Sequence, residues 1–213
     1  MRTVVTRPGL RERKKQRTRD ALLRAALELF TTKGYEETTV DEIVEAVDVS
    51  QRTFFRHFAG KQEAAFAVPE MVERRFLQEL GERPAHEAPF AALRGAVLDS
   101  WDAMGEAIAE VVPVELHMRA YQMIESTPSL LAAHLRRSIE IEERIVDILA
   151  AREGLDPDDP RPRVAIAAFG GVMRAAGRLW ATGEDISVAS MRATTEAYLN
   201  HLGPALAEDW HRA

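Results

Sequence analysis

The sequence predicts an all-α protein: a short three-helix amino-terminal module followed by a larger helical domain. Apolar residues recur at helical spacing along most of the chain, and no alternating run supports a strand. Plain breakers, "GERPAHEAP", "STPS", "REGLDPDDPRP" and "ATGEDIS", divide the second part into separate helices. Charge is also divided. Residues 1–61 carry 13 Lys and Arg against 9 Asp and Glu, whereas residues 62–213 carry 15 against 25, within a net charge of −6. The expected units are residues 1–66 and 67–213.

At 213 residues and 46% hydrophobic, the chain can bury a sizeable core. The absence of cysteine excludes a disulfide scaffold and a thiolate metal site. No apolar run approaches the ~18 to 20 residues of a membrane span. The opening "MRTVVTRPGLRERKKQRTRD" lacks the apolar centre of a signal peptide, so a cytoplasmic protein is expected. A basic first part joined to an acidic remainder suits a chain of which only the beginning meets phosphate; the alternative is a solvated basic tail.

Leu22, Leu23, Ala26, Leu29 and Phe30 predict a first helix from about Arg11 to Lys33, and Gly34 suits the left-handed position beyond its end. "TVDE", Thr39 to Glu42, reads as a capping box that opens a short second helix with Val40, Ile43, Val44 and Val47 inward. Asp48-Val49-Ser50 makes a turn, and Ser50 caps a third helix reaching His57. Two short helices separated by a tight turn form a helix-turn-helix, which places its second helix in the DNA major groove. In "DVSQRTFFRHF", Val49, Phe54 and Phe58 are core candidates. Gln51, Arg52 and Thr53 open the third helix, either as a capped, solvated first turn or, in a helix laid in the groove, where side chains reach base edges and Arg52 can pair with guanine and Gln51 with adenine. Thr39, Ser50, His57 and Lys61 are candidates for phosphate contact, with Phe55 on the same face. Arg11, Lys14, Lys15 and Arg17 form either an arm before the first helix or a frayed tail.

The stretch Ala21 to Phe66 resembles the TetR family of bacterial transcriptional regulators. The resemblance rests on Phe30, Gly34, Tyr35, Thr39, Ile43, Val44, Ala46, Val49, Ser50, Thr53, Phe54, Phe55, His57, Phe58 and Lys61 at fixed spacing. It implies a homodimeric DNA-binding regulator, most often a repressor, whose helical second domain binds a small-molecule effector. Three departures stand out: Asp48 at a turn position often held by glycine, Arg52 in place of another glycine, and Phe55 in place of a tyrosine that would offer a hydroxyl. "GLRERKKQRTRDAL" together with "DVSQRTFFRHF" resembles the mycofactocin-type subset, which implies an acyl-CoA-like ligand class.

Beyond Lys61, Pro69 is expected to break or restart the helix near Val68, at the junction of the two units. Five further helices follow. Phe90, Leu93, Val97, Trp101, Met104 and Ile108 form one stripe. Leu130, Leu131, Leu135, Ile139, Ile145 and Leu149 mark a long helix opened by Thr127-Pro128 and closed by Gly154. "VAIAAFGGVMRAAGRLW" and the near-heptad Val188, Met191, Thr195, Tyr198, Leu202 and Leu206 suit either a four-helix interface with a second copy or packing on their own domain.

For an effector of apolar or amphipathic character, Trp101, Met104, Met118, Tyr121, Met123, Phe169, Met173 and Trp180 either line a pocket or pack a core. His117 and Arg119 are the polar anchors to test. The six histidines show neither HExxH nor i,i+4 pairing, so no metal is signalled, and no residue set points to a cofactor or an enzyme. The expected partners are a double-stranded DNA operator, a small molecule and a second copy, with no membrane. The alternative function is a ligand-independent or architectural DNA binder.

Overall fold

Local chemistry sets the helix boundaries. The computed structural model describes residues 9–206, apart from the side chains at 102–107 and 204. These form α1 (Leu10–Thr32), α2 (Val40–Ala46), α3 (Gln51–His57), α4 (Lys61–Glu82), α5 (Pro89–Ala109), α6 (Val114–Ser126), α7 (Pro128–Glu153), α8 (Pro160–Ala181) and α9 (Val188–Leu206). The capping box is present: Thr39 Oγ1 accepts from the Glu42 amide at 3.3 Å, and the Glu42 carboxylate accepts from the Thr39 amide at 2.9 Å. Ser50 Oγ accepts from the Thr53 amide at 3.3 Å and so caps α3. Asp48 lies in the left-handed region at φ 55°, as do Gly34 (110°) and Gly154 (62°). Aspartate tolerates that region better than most residues, and the turn closes without glycine.

Pro69 does not break the helix. α4 runs unbroken from Lys61 to Glu82, across the expected 66/67 boundary, with Pro69 buried inside it. Proline removes one donor, but burial of Ala64 to Val68 before it and of Leu77 and Leu80 after it fastens both sides. Arg11, Lys14, Lys15 and Arg17 are likewise not an arm, since they form the exposed first turns of α1.

The cores follow the packing of the helices. One cluster joins Leu22, Leu27, Phe30, Ile43, Phe54, Phe58 and Phe66 to Leu116, Ile124 and Leu130 of α6 and α7. Another gathers Leu80, Leu93, Val97, Ile145, Leu149, Phe169 and Leu199. Of the α5 stripe, Leu93, Val97 and Ile108 are buried and Phe90 is exposed, while the Met104 side chain lies outside the described residues. Leu135 and Ile139 of the long-helix pattern face outward. On α9, Met191, Thr195 and Leu202 are buried within their own domain, and Leu206 is exposed. Among the described residues, no helix is long and apolar enough to cross a membrane.

Candidate nucleic-acid interface and effector cavity

The face of α3 is supported from beneath by aromatic packing. Phe54 and Phe58 are fully buried with ring centroids 5.6 Å apart, and the exposed Phe55 meets Phe54 edge-on at 5.4 Å. Above them Gln51 and Arg52 are exposed, and Thr53 and His57 are half-buried. Thr39 and Ser50 are exposed as caps of the two helices. Arg19 of α1, which sequence reasoning did not single out, lays its guanidinium over the Phe58 ring at 5.0 Å. Burial first, then Arg56, Arg19 and Lys15, hold the His57 imidazole below its ordinary pKa, and its Nε2 is buried with no partner.

Two side chains on this face are already engaged. The Gln51 amide donates to the Asp41 carboxylate, tying α3 to α2. Lys61 differs more sharply from its expected phosphate contact. Its ammonium donates to the carbonyls of Thr38 (2.7 Å), Tyr35 (2.8 Å) and Glu36 (3.3 Å), and lies 4.7 Å from the centre of the Tyr35 ring. An ammonium has three donors, and all three point into the α1–α2 loop. Lys61 therefore clamps that loop to the start of α4. Its partners lie 23 to 26 residues away, beyond the reach of any spacing pattern.

The second site is a cavity of about 260 Å³ walled by α4 to α9. Trp101, His117, Met118, Tyr121, Phe169 and Met173 line it, as their types suggested. Trp180 does not; it is buried behind Tyr121, with ring centroids 5.7 Å apart, against Met118 and Met191. Arg119 is exposed and borders a separate outer depression with Phe30, Gln122 and Met123, because it points away from the cavity side of α6.

Sequence reasoning missed the polar part of the wall: Glu73, Glu125, His134, Glu142 and Arg174. Glu73 accepts from Arg137 at 2.8 Å, and Arg174 pairs with Glu142. Burial pushes the carboxyls of Glu73 and Glu125 up, and pushes the Tyr121 hydroxyl well above the usual phenol range. It also lowers the His117 imidazole to about 4. His117 is only 4% exposed, and its Nδ1 has no hydrogen-bond partner. His134 places Nε2 3.4 Å from Glu125 Oε1, stacks on Phe66 with centroids 6.3 Å apart, and leaves its own Nδ1 unpartnered. These groups come from four helices, α4, α6, α7 and α8, so no single spacing pattern along the chain joins them. No cluster of three metal-ligating residues occurs among the described residues.

Comparison with known proteins covers both sites. Residues 22–68 match the family described as bacterial regulatory proteins, tetR family, and residues 87–206 match the MftR C-terminal domain. The chain is 46% identical over 206 residues to the HTH-type transcriptional regulator TcmR of Streptomyces glaucescens, covering 96% of this chain and 91% of that one. It is 25% identical over 171 residues to a putative mycofactocin biosynthesis transcriptional regulator, MftR, of Mycobacterium tuberculosis, covering 76% of this chain and 79% of that one. Its fold is similar to SmeT in complex with triclosan, with a TM-score of 0.63 at 18% identity over 89% of this chain and 91% of that one. It is also similar to NalD of Pseudomonas aeruginosa, with a TM-score of 0.58 at 19% identity over 88% and 96%.

Proposed function

The chain belongs to the TetR family of transcriptional regulators, and from that premise we propose that it is a homodimeric repressor, released from a near-palindromic DNA operator by a small effector. The observation that carries this reading is one unbroken helix, α4, that begins beside the exposed face of α3 and continues as a wall of the cavity. Arg52 and Gln51 read base edges, with Gln51 exchanging Asp41 for a base. Thr39, Ser50, Thr53, Phe55 and His57 seat the helix against the sugar-phosphate backbone. Lys61 acts one step behind them, by holding the loop that carries Thr39. The outward Val164 and Leu179 of α8 and Leu206 of α9 supply apolar surface for the second copy. Such a protein works in the cytoplasm, where the DNA is.

The test is selection of bound sites from random duplexes with the full chain, followed by release of the bound DNA with metabolites. Two related half-sites are expected, and Arg52→Ala should relax preference at one or two positions by about 1–3 kcal/mol each. A selected pool without any shared sequence would overturn the operator reading. DNA that stays bound when the cavity is filled would favour a ligand-independent binder instead.

A further inference from the structure

The cavity carries a chemical signature in its polar wall. His117 is 4% exposed and its Nδ1 has no partner, although the residue faces the cavity. A buried polar atom left unpaired is costly, and a ligand hydrogen bond removes that cost. His134, on the neighbouring helix, has a second unpartnered Nδ1, and its ring is held in place by the stack on Phe66 and the Glu125 contact. Both are receivers for groups that donate or accept a single hydrogen bond, as hydroxyl and keto groups do.

The charges in the wall point the same way. Arg174 is paired with Glu142, and Glu73 is held by Arg137. The third carboxylate, Glu125, faces His134, and the remaining arginine in the wall, Arg178, is exposed at the rim. Among the lining residues three carboxylates, Glu73, Glu125 and Glu142, stand against two arginines, Arg174 and Arg178, a balance that disfavours a carboxylate or phosphate. His117 adds no charge at neutral pH, because burial keeps its imidazole unprotonated down to about 4. The polyanionic head of an acyl-CoA is therefore a poor match. The faces of Trp101, Tyr121 and Phe169, with the adaptable Met118 and Met173, suit a flat π system.

Resting on the effector-responsive reading above, we infer that the cavity takes an uncharged, flat aromatic molecule bearing hydroxyl or keto groups, received by Nδ1 of His117 and of His134. Phe66 links this site to the amino-terminal core, because the ring that His134 stacks on is packed in the same cluster as Phe30 and Phe58.

Four probes on one frame test this by fluorescence titration of the full chain without DNA: hydroxypyrene, pyrene, pyrene carboxylate and pyrenemethylammonium. Hydroxypyrene should bind about ten-fold more tightly than pyrene, and both ions more weakly than pyrene. His117→Phe should erase the hydroxyl advantage over pyrene, and His117→Gln should keep part of it. Tightest binding by either ion, no binding by any probe, or a hydroxyl advantage that survives His117→Phe would overturn the inference. The comparison on the unaltered chain does not require any variant to fold. Because no DNA is present, its outcome is separate from the operator selection that tests the regulatory reading.

Discussion

Polar groups are closed differently in the two parts of the molecule. Around the DNA-reading face most bonds are local: Thr39 with Glu42 and Ser50 with Thr53 are three residues apart, and Gln51 with Asp41 ten. In the regulatory part several also span the chain: Arg137 reaches Glu70 and Glu73 across 67 and 64 residues, Arg94 reaches Glu196 across 102, and Arg152 reaches the Arg83 carbonyl across 69. The regulatory part also keeps unpaired nitrogens inside a cavity, on His117 and His134. The DNA-reading face closes most of its polar groups over short range, with His57 Nε2 left buried and unpartnered. The cavity holds two such nitrogens, which no neighbouring side chain completes.

The contrast can be broken from either side, and the largest effect is expected at His117. Between pH 6.5 and about 4 the unfolded imidazole takes up a proton that the folded one refuses, so stability falls as pH drops through that window. The full span amounts to roughly 3 kcal/mol, while Glu73 and Glu125, whose carboxyls are pushed up, act in the opposite direction. Denaturant unfolding of His117→Phe against the native chain should show that acid-side loss removed; parallel pH profiles would show that His117 does not stay neutral. Next comes Arg137→Met, which strips two 2.8 Å bonds between α7 and α4, leaving Glu73 without its arginine and Glu70 with only the 4.0 Å contact to Arg74. A loss of about 2 kcal/mol is expected by the same measurement.

Lys61→Met probes a long-range clamp on the reading side. We expect about 1–2 kcal/mol of destabilisation from its lost carbonyl bonds, with the salt dependence of DNA binding preserved. A fall in the log–log salt slope of about 0.9 would instead show that the ammonium neutralises a phosphate. The smallest effect belongs to Asp48→Gly, which relieves a left-handed residue at φ 55°. A gain of about 0.5 kcal/mol is expected, since a freer unfolded chain offsets part of the relief. A loss would mean that the aspartate side chain holds the turn.

The same contrast explains what could be read from the sequence. Helix boundaries were legible at Gly34, Thr39, Ser50 and Gly154 because a cap acts on backbone groups within about four residues. The cavity was legible only through its apolar members. Trp101, Tyr121 and Phe169 had to be either core or wall, whereas Glu73, Glu125 and His134 come from three helices whose juxtaposition has no local code. Trp180 shows the limit of residue type, because a tryptophan one layer further back reads the same along the chain. Pro69 was misread because proline's local penalty is real, but burial on both flanks outweighed it.

The unbroken course of α4 has a mechanical meaning. A flexible linker absorbs displacement, whereas a helix behaves as a stiff lever. Pro69, against the cavity, lies eight residues from Lys61, or about 12 Å along the axis. Pivoting that arm by about 5° would sweep its tip through about 1 Å. Lys61 sits at the tip with its ammonium fastened to Tyr35, Glu36 and Thr38, so the α1–α2 loop must travel with it. A shift of that size is comparable to the tolerance of a hydrogen bond, and two such levers, one in each copy, would set the spacing at which a pair of recognition helices can seat.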